Sequence, residues 1–172
     1  MKQEDQARWI QVRLQPGLRA HRGKLLTGEG PGVTVHAGSF LRKRKIVLDT
    51  SLLASPVDLA RIFLHEIYHF VWLRLGNATR LSFEGLLIEE IGKGAPGELG
   101  WSAELRKQAL RPGDWRRRTR RWREYVSESF CDTAAWLYSD ARRNVEFTLP
   151  QAFRRQRRKW FRHAEALKRI SV

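Results

Sequence analysis

From Leu59 to Leu73, apolar side chains recur around a helical period: Leu59, Ile62, Phe63, Leu64, Ile67, Phe70, Val71, Trp72 and Leu73 fill nine of fifteen positions. A helix that is apolar nearly all round belongs inside a protein. Its ends are marked. Ser55 can cap, Pro56 suits the first turn and Asp58 completes a capping box, while Gly76 and Asn77 stop the helix near Leu75. Just upstream, "KIVLDT" (45–50) puts Ile46 and Leu48 on one face and Val47 on the other, the period of a strand. "ARWIQVRL" (7–14) alternates in part and fits a strand or a short helix. The Gly-rich stretch 21–38 reads as loop around a short strand, Val33–His36. Downstream, the pattern predicts a short helix over Ser82–Glu90, a loop over 92–100 and a helix over Ser102–Leu110 capped by Ser102. "RPGD" (111–114) breaks the pattern, and Asp114 caps a long helix reaching about Tyr138. A last helix starts near Thr148, has Pro150 in its first turn and runs to about Arg169.

A short strand-bearing part followed by helices predicts an α+β fold. The length of 172 residues suits one domain, with an amino-terminal lobe over about 1–76 and a helical carboxy-terminal lobe over about 77–172. Seven Trp and eight Phe supply bulk for a core. "MKQEDQARWI" has no apolar run of the secretory kind, and no stretch has the length of a membrane span. The single Cys131 excludes an internal disulfide and a zinc site built from several cysteines. These features together predict a cytoplasmic protein.

Charge adds a second theme. The net charge is +15, and much of it lies in "WRRRTRRWRE" (115–124) and "FRRQRRKWFRH" (153–163). Such tracts attract polyanions: nucleic acid, an anionic surface or an acidic protein. They read either as solvated helix surface or as a nucleic-acid interface, with Trp115, Trp122, Trp160 and Phe161 stacking on bases or packing in the core. No nucleic-acid recognition motif accompanies the charge.

The candidate chemistry sits in the apolar helix. His65, Glu66 and His69 lie in its middle, and burying titratable groups costs free energy unless something compensates. "HEIYH" (65–69) is the pattern His-Glu-x-x-His. On a helix, His65 and His69 project from one face and can reach one ion. Glu66 lies about 100° round the helix, beside such an ion, where a carboxylate can take a proton from a water on the metal. Zinc would compensate the buried polar groups, since it binds neutral imidazoles with a large coordination energy.

Catalytic zinc takes three protein ligands. No His-x-x-Gly-x-x-His continuation follows His69, and His21, His36 and His163 fall in loop, edge strand or basic helix, where solvated or hydrogen-bonded roles are expected. "REYVSESFCDTAAWLY" (123–138) offers a better partner. Glu128 and Asp132, spaced i, i+4, share one face of an amphipathic helix. Glu128 can complete the shell, and Asp132 can accept a hydrogen bond from the outer nitrogen of a ligand histidine. Glu124 is the rival ligand; its alternative role is a surface ion pair with Arg120 or Arg121. Cys131 is expected to pack as a buried thiol.

His-Glu-x-x-His followed by Glu-x-x-x-Asp resembles the gluzincins, the thermolysin-like zinc peptidases, and "SESFCD" (127–132) matches their second motif in shape. The order of strand, motif helix and glutamate helix also resembles compact gluzincins and the repressor-cleaving peptidases of phage immunity and radiation response. The resemblance covers about Lys45 to Leu137. It implies a zincin-like fold, with a small twisted sheet over the motif helix and a helical carboxy-terminal lobe. It implies His65, His69 and Glu128 as zinc ligands, Glu66 as base and Asp132 behind a ligand. One departure is the gap of 58 residues between His69 and Glu128, which predicts a subdomain or lid around 78–113. The strand Lys45–Asp49 is expected to border the cleft as an edge, with Ile46, Val47 and Leu48 meeting extended peptide. "RKRK" (42–45) would protect that edge from aggregation or favour acidic substrates. Tyr125, Tyr138, His163 and several arginines are candidates to stabilise an oxyanion. The expected activity is zinc-dependent hydrolysis of peptide bonds, by an endopeptidase rather than an exopeptidase. The alternative is a nucleic-acid-associated regulator that uses the same fold as a binding module.

Overall fold

The computed structural model describes residues 9–164 and 167. Residues 1–8, 165, 166 and 168–172 lie outside the described residues; the last helix, expected to reach about Arg169, ends at His163 with Ala164 as its cap. The fold is α+β, with two small sheets followed by five helices. Strands β1 (Gln11–Gln15), β5 (Ala37–Phe40) and β6 (Lys45–Asp49) form one sheet in the order β1-β6-β5. β1 runs parallel to β6 and β5 antiparallel to it. Strands β2 (Arg19–His21), β3 (Lys24–Leu26) and β4 (Val33–Thr34) form a second, antiparallel sheet in the order β3-β2-β4. Asp49 ties the two together: its side chain accepts from Leu18 N at 2.7 Å and from Ser51 N at 2.8 Å, and its own N–H donates to His36 O.

This order corrects one expectation. β6 is the central strand, not an edge, and Ile46, Val47 and Leu48 are buried. Both sides of β6 are occupied, because a parallel partner arrives from more than thirty residues upstream. Among the described residues, the edge strand of this sheet that packs beside the motif helix is β5.

Helix α1 (Pro56–Arg74) begins where its caps predict, with Ser55 accepting from Asp58 N. It is apolar on two sides because it lies between two cores. Leu59, Ile62, Phe63 and Phe70 pack with Ile46 and Leu48 of the sheet. Val71, Leu75 and Tyr68 pack with α2 (Asn77–Gly92), α4 (Arg120–Tyr138) and α5 (Gln151–His163) around Phe83, Phe130 and Phe161. The row Arg61, His65, His69 falls in the seam between these cores.

The rest of the helical part departs from the sequence pattern in its ends. α2 is almost twice as long as Ser82–Glu90, and Phe83 and Leu87 make it part of the core instead of a lid. α3 (Trp101–Gln108) starts one residue early, with Gly100 rather than Ser102 at its cap. α4 starts at Arg120 behind Thr119 rather than at Asp114. Asp114 instead closes a turn, accepting from Arg111 N, from the Thr119 hydroxyl and from Arg121. α5 starts at Gln151, after Pro150.

The basic tracts are partly internal. Arg157 is fully buried and bonds both Glu90 and Glu98. Arg118 forms a two-pronged pair with Glu84, and Arg154 bonds the Phe147 and Leu149 carbonyls. Glu98 also accepts from Tyr125 and Ser129, while Thr148 and Leu149 donate from their amides to its carbonyl. These bonds fix the chain just before α3, which forms one wall of the site.

Candidate metal centre

The long α1 brings His65 and His69 together one turn apart, and α4 crosses it to add Glu128. The facing atoms converge: His65 Nε2 is 3.2 Å from His69 Nε2 and 3.3 Å from Glu128 Oε2, and His69 Nε2 is 3.9 Å from the same oxygen. Ligands at 2.0–2.1 Å from a tetrahedral zinc stand about 3.3 Å from one another. Two imidazoles and a carboxylate also match the ligand types of catalytic zinc. The donor set therefore fits the metal that the sequence suggests.

Each of the three side chains has an outer partner. His65 Nδ1 meets Asp132 Oδ1 at 2.7 Å. His69 Nδ1 lies 3.4 Å from the buried Cys131 thiol. Glu128 accepts a hydrogen bond from the Ser102 hydroxyl. These contacts leave both Nε2 atoms and Glu128 Oε2 turned toward one point, and they fix the imidazole rings.

Asp132 does more than hold His65. Its second oxygen accepts from Ala103 N at 2.9 Å, in the first turn of α3. It caps that helix from outside, a place where Gly100 has no capping side chain. The approach is so close that a Cβ on Gly100 would sit 2.2 Å from Asp132 Cγ. Glycine is required at position 100 for this contact. The start of α3 is thus coupled to the histidine it overlies.

Electrostatics follow from burial and these partners. Burial would lower the His65 pKa, but the charge and hydrogen bond of Asp132, joined by Glu128 and Glu66, raise it well above the usual imidazole value. Burial and the positive charge of His65 lower that of His69. Burial would raise Glu128, yet its bond to His65, the nearby imidazole charges and Ser102 bring it down to about 2. These effects favour an ionised Glu128 and set the two imidazoles apart, His65 toward and His69 away from the charged form.

Glu66 is buried beside this cluster and lines a cavity of about 410 Å³ together with His65 and Asp132. Val33–Ala37, at the β4–β5 end, forms one side of it, and Trp101 and Ser102 of α3 form another. Arg61, one turn before His65, donates to Glu146 at 3.0 Å, and Glu146 also accepts from Trp101 N. A second cavity, of about 500 Å³, opens on the far side of the cluster at His69 and Glu128. The two lie toward opposite ends of β5.

Other sequence candidates fall elsewhere. Glu124 pairs with Arg120 at 2.6 Å and with Arg106 at 3.9 Å and is outside the cluster. Ile46, Val47 and Leu48 are inside the sheet and do not line either cavity. Tyr125 gives its hydroxyl to Glu98, Tyr138 stacks on Tyr68, and His163 is exposed at the end of α5. His36, expected in a solvated or hydrogen-bonded role, is exposed and stands at the Glu66 cavity. Ser102, expected only as a helix cap, lines the site together with Arg61 and Glu146; of the latter two only Arg61 carries a sequence signal, its i, i+4 spacing to His65. Comparison of the chain with protein-family models, curated proteins and solved structures returns no match.

Proposed function

We propose that the protein is a zinc-dependent peptidase with a zincin-like arrangement of the gluzincin kind. The observation that carries this reading is the convergence of His65 Nε2, His69 Nε2 and Glu128 Oε2, with Glu66 buried beside them at the wall of a cleft. A metal-binding site with a purely structural purpose needs no buried carboxylate next to its ligands and no open cavity.

When bound, zinc supplies a Lewis acid that polarises a carbonyl and acidifies water. The chain supplies the rest. The edge strand β5 offers main-chain hydrogen bonds to an extended peptide, which would pass from the Val33–Ala37 cavity to the one beyond His69. Glu66 takes a proton from the attacking water and delivers it to the leaving amine. Asp132, Cys131 and Ser102 hold the three ligands in place, so that the site does not reorganise during the reaction.

The test is Glu66→Gln. The amide has nearly the same shape but cannot accept the water's proton. The variant should keep zinc and fold while losing cleavage of a broad peptide library that the wild type cleaves. Cleavage that survives the substitution refutes the assigned role. The nucleic-acid reading has less support. Trp122 and Phe161 are buried, Trp160 packs on the core, and the Trp115 ring carries Arg116 at 5.0 Å. The aromatics of the tracts do not form a stacking surface for bases.

A further inference from the structure

The cavity on the His69 side differs from the Glu66 cavity in its charges. In the Glu66 cavity the one lining arginine, Arg61, is matched by Glu146, and Asp132 is held by His65 and the Ala103 amide. The His69 cavity has an apolar floor of Trp72 and Leu73, between Ser39 and Leu41 at the end of β5 and Arg120 and Arg123 at the start of α4. Both of its carboxylates are engaged: Glu128 faces His65 and His69, and Glu124 is shared by Arg120 and Arg106. Arg123 is exposed and has no carboxylate partner among the described residues. Arg123 thus stands as an uncompensated cation at the wall of a groove that is continuous with the cluster and lined on its other side by Ser39 and Leu41.

We propose that this groove recognises an acidic segment of the substrate polypeptide, with Arg123 as its specificity-determining residue. The inference rests on the peptidase reading and adds the class of substrate to it. An apolar floor beside the Arg123 guanidinium suits a chain that alternates apolar and acidic side chains along the β5 edge. Nucleic acid fits the groove less well, because its walls provide no open pair of aromatic faces for bases. One exposed ion pair with Arg123 corresponds to a selectivity of about 1.4- to fivefold.

The experiment measures binding without turnover. Full-length Glu66→Gln protein, loaded with zinc, is titrated into fluorescein-labelled peptides centred on Phe-Leu, with runs of Glu, Gln or Lys on one side or the other. At about 0.15 M salt, where exposed charges are partly screened, a Glu run on one side should bind about 1.4- to fivefold more tightly than the Gln run, and the Lys run more weakly. Arg123→Ala should bring the Glu-to-Gln ratio close to one, and Arg123→Glu should invert it, with zinc content unchanged. Equal affinities for Glu and Gln on both sides overturn the proposal, as does a preference that survives Arg123→Glu. A thymidine oligonucleotide that binds more tightly than any Glu peptide, and that Arg123→Glu releases, overturns it in favour of nucleic acid. Turnover by the wild type separates the two readings. Cleavage with no preference for acid removes the groove inference alone. Acid-selective binding with no cleavage of any peptide removes the peptidase reading and leaves the groove.

Discussion

Arg157→Met tests how the interior of the helical part holds the site in place. The guanidinium is fully buried between Glu90 and Glu98, with N–O distances of 2.6 and 2.7 Å to the two carboxylates and a further bond to Thr133. Methionine fills part of the volume but leaves both carboxylates inside. Glu98 keeps Tyr125, Ser129 and Lys107; the Glu90 carboxylate has no other hydrogen-bond partner among the described residues. Removing one partner of a buried ion pair typically costs about 3–5 kcal/mol, because the remaining charge is stranded. For a chain of this length that corresponds to a Tm lower by roughly 6–20 °C. Urea unfolding followed by tryptophan fluorescence measures the loss. The pH dependence adds a sign. Burial would raise the pKa of Glu98, but Arg157, with help from Lys107 and Tyr125, brings it below the ordinary carboxylate value. A depressed folded-state pKa stabilises above the unfolded value and loses that contribution as pH falls through the folded one. The wild type should therefore keep this contribution down to about pH 5, and its advantage over Arg157→Met should shrink as the pH falls below that, through the unfolded carboxylate value toward the lower folded one. Arg157→Met combined with Glu90→Gln and Glu98→Gln should recover part of the loss. A deficit below about 1 kcal/mol at pH 7, or one that does not change with pH, would refute the argument.

Two further predictions concern the metal centre. Purified protein should hold about one zinc per chain, and Glu128→Ala should strip it in chelator competition while Glu124→Ala leaves affinity within about twofold; the reverse order would move the ligand by one helical turn. Asp132→Asn should lower zinc affinity about 10–100-fold, and Gly100→Ala, which forces a methyl group against that carboxylate, should reproduce part of the loss without touching a ligand. Wild-type zinc affinity in Gly100→Ala would show that α3 and the cluster are uncoupled.

What the sequence revealed was local. α1 was legible in full because its caps, Ser55 and Asp58, and its apolar positions all lie within one segment. The same holds for the spacing of His65 with His69 and of Glu128 with Asp132, since i, i+4 pairs on a helix must share a face. The crossing of α1 and α4 brings these four side chains together. Features built from distant segments were not legible. The position of β6 depends on β1, and no property of "KIVLDT" distinguishes a central strand from an edge in a sheet this small. The three-residue strands β2 and β3 are too short to show alternation, and their Gly-rich turns read as loop. Ser102 and Cys131 gave no sign of their contacts with Glu128 and His69. One reaches the site from α3, and the other was read as a packing residue because a lone thiol in an apolar helix carries no spacing rule.

Asp114 and the arginines around it show why charge counts mislead as a guide to surface function. A run such as 115–124 looks uniform in the sequence, yet its members divide by what lies opposite them. Arg118 reaches across to Glu84, Arg121 turns back to Asp114 and Arg120 meets Glu124 one turn on, while Arg123 has no carboxylate partner among the described residues. In 153–163, Arg157 is in the core and Arg154 holds backbone carbonyls, whereas Arg155 and Arg162 are exposed. The formal charge therefore overstates the field available to a partner near the paired arginines. Near Arg123 the field is less opposed, and that position is at the mouth of the groove beside His69. The location of the unpaired cations, more than their number, is what ties the basic character of the chain to the candidate metal centre.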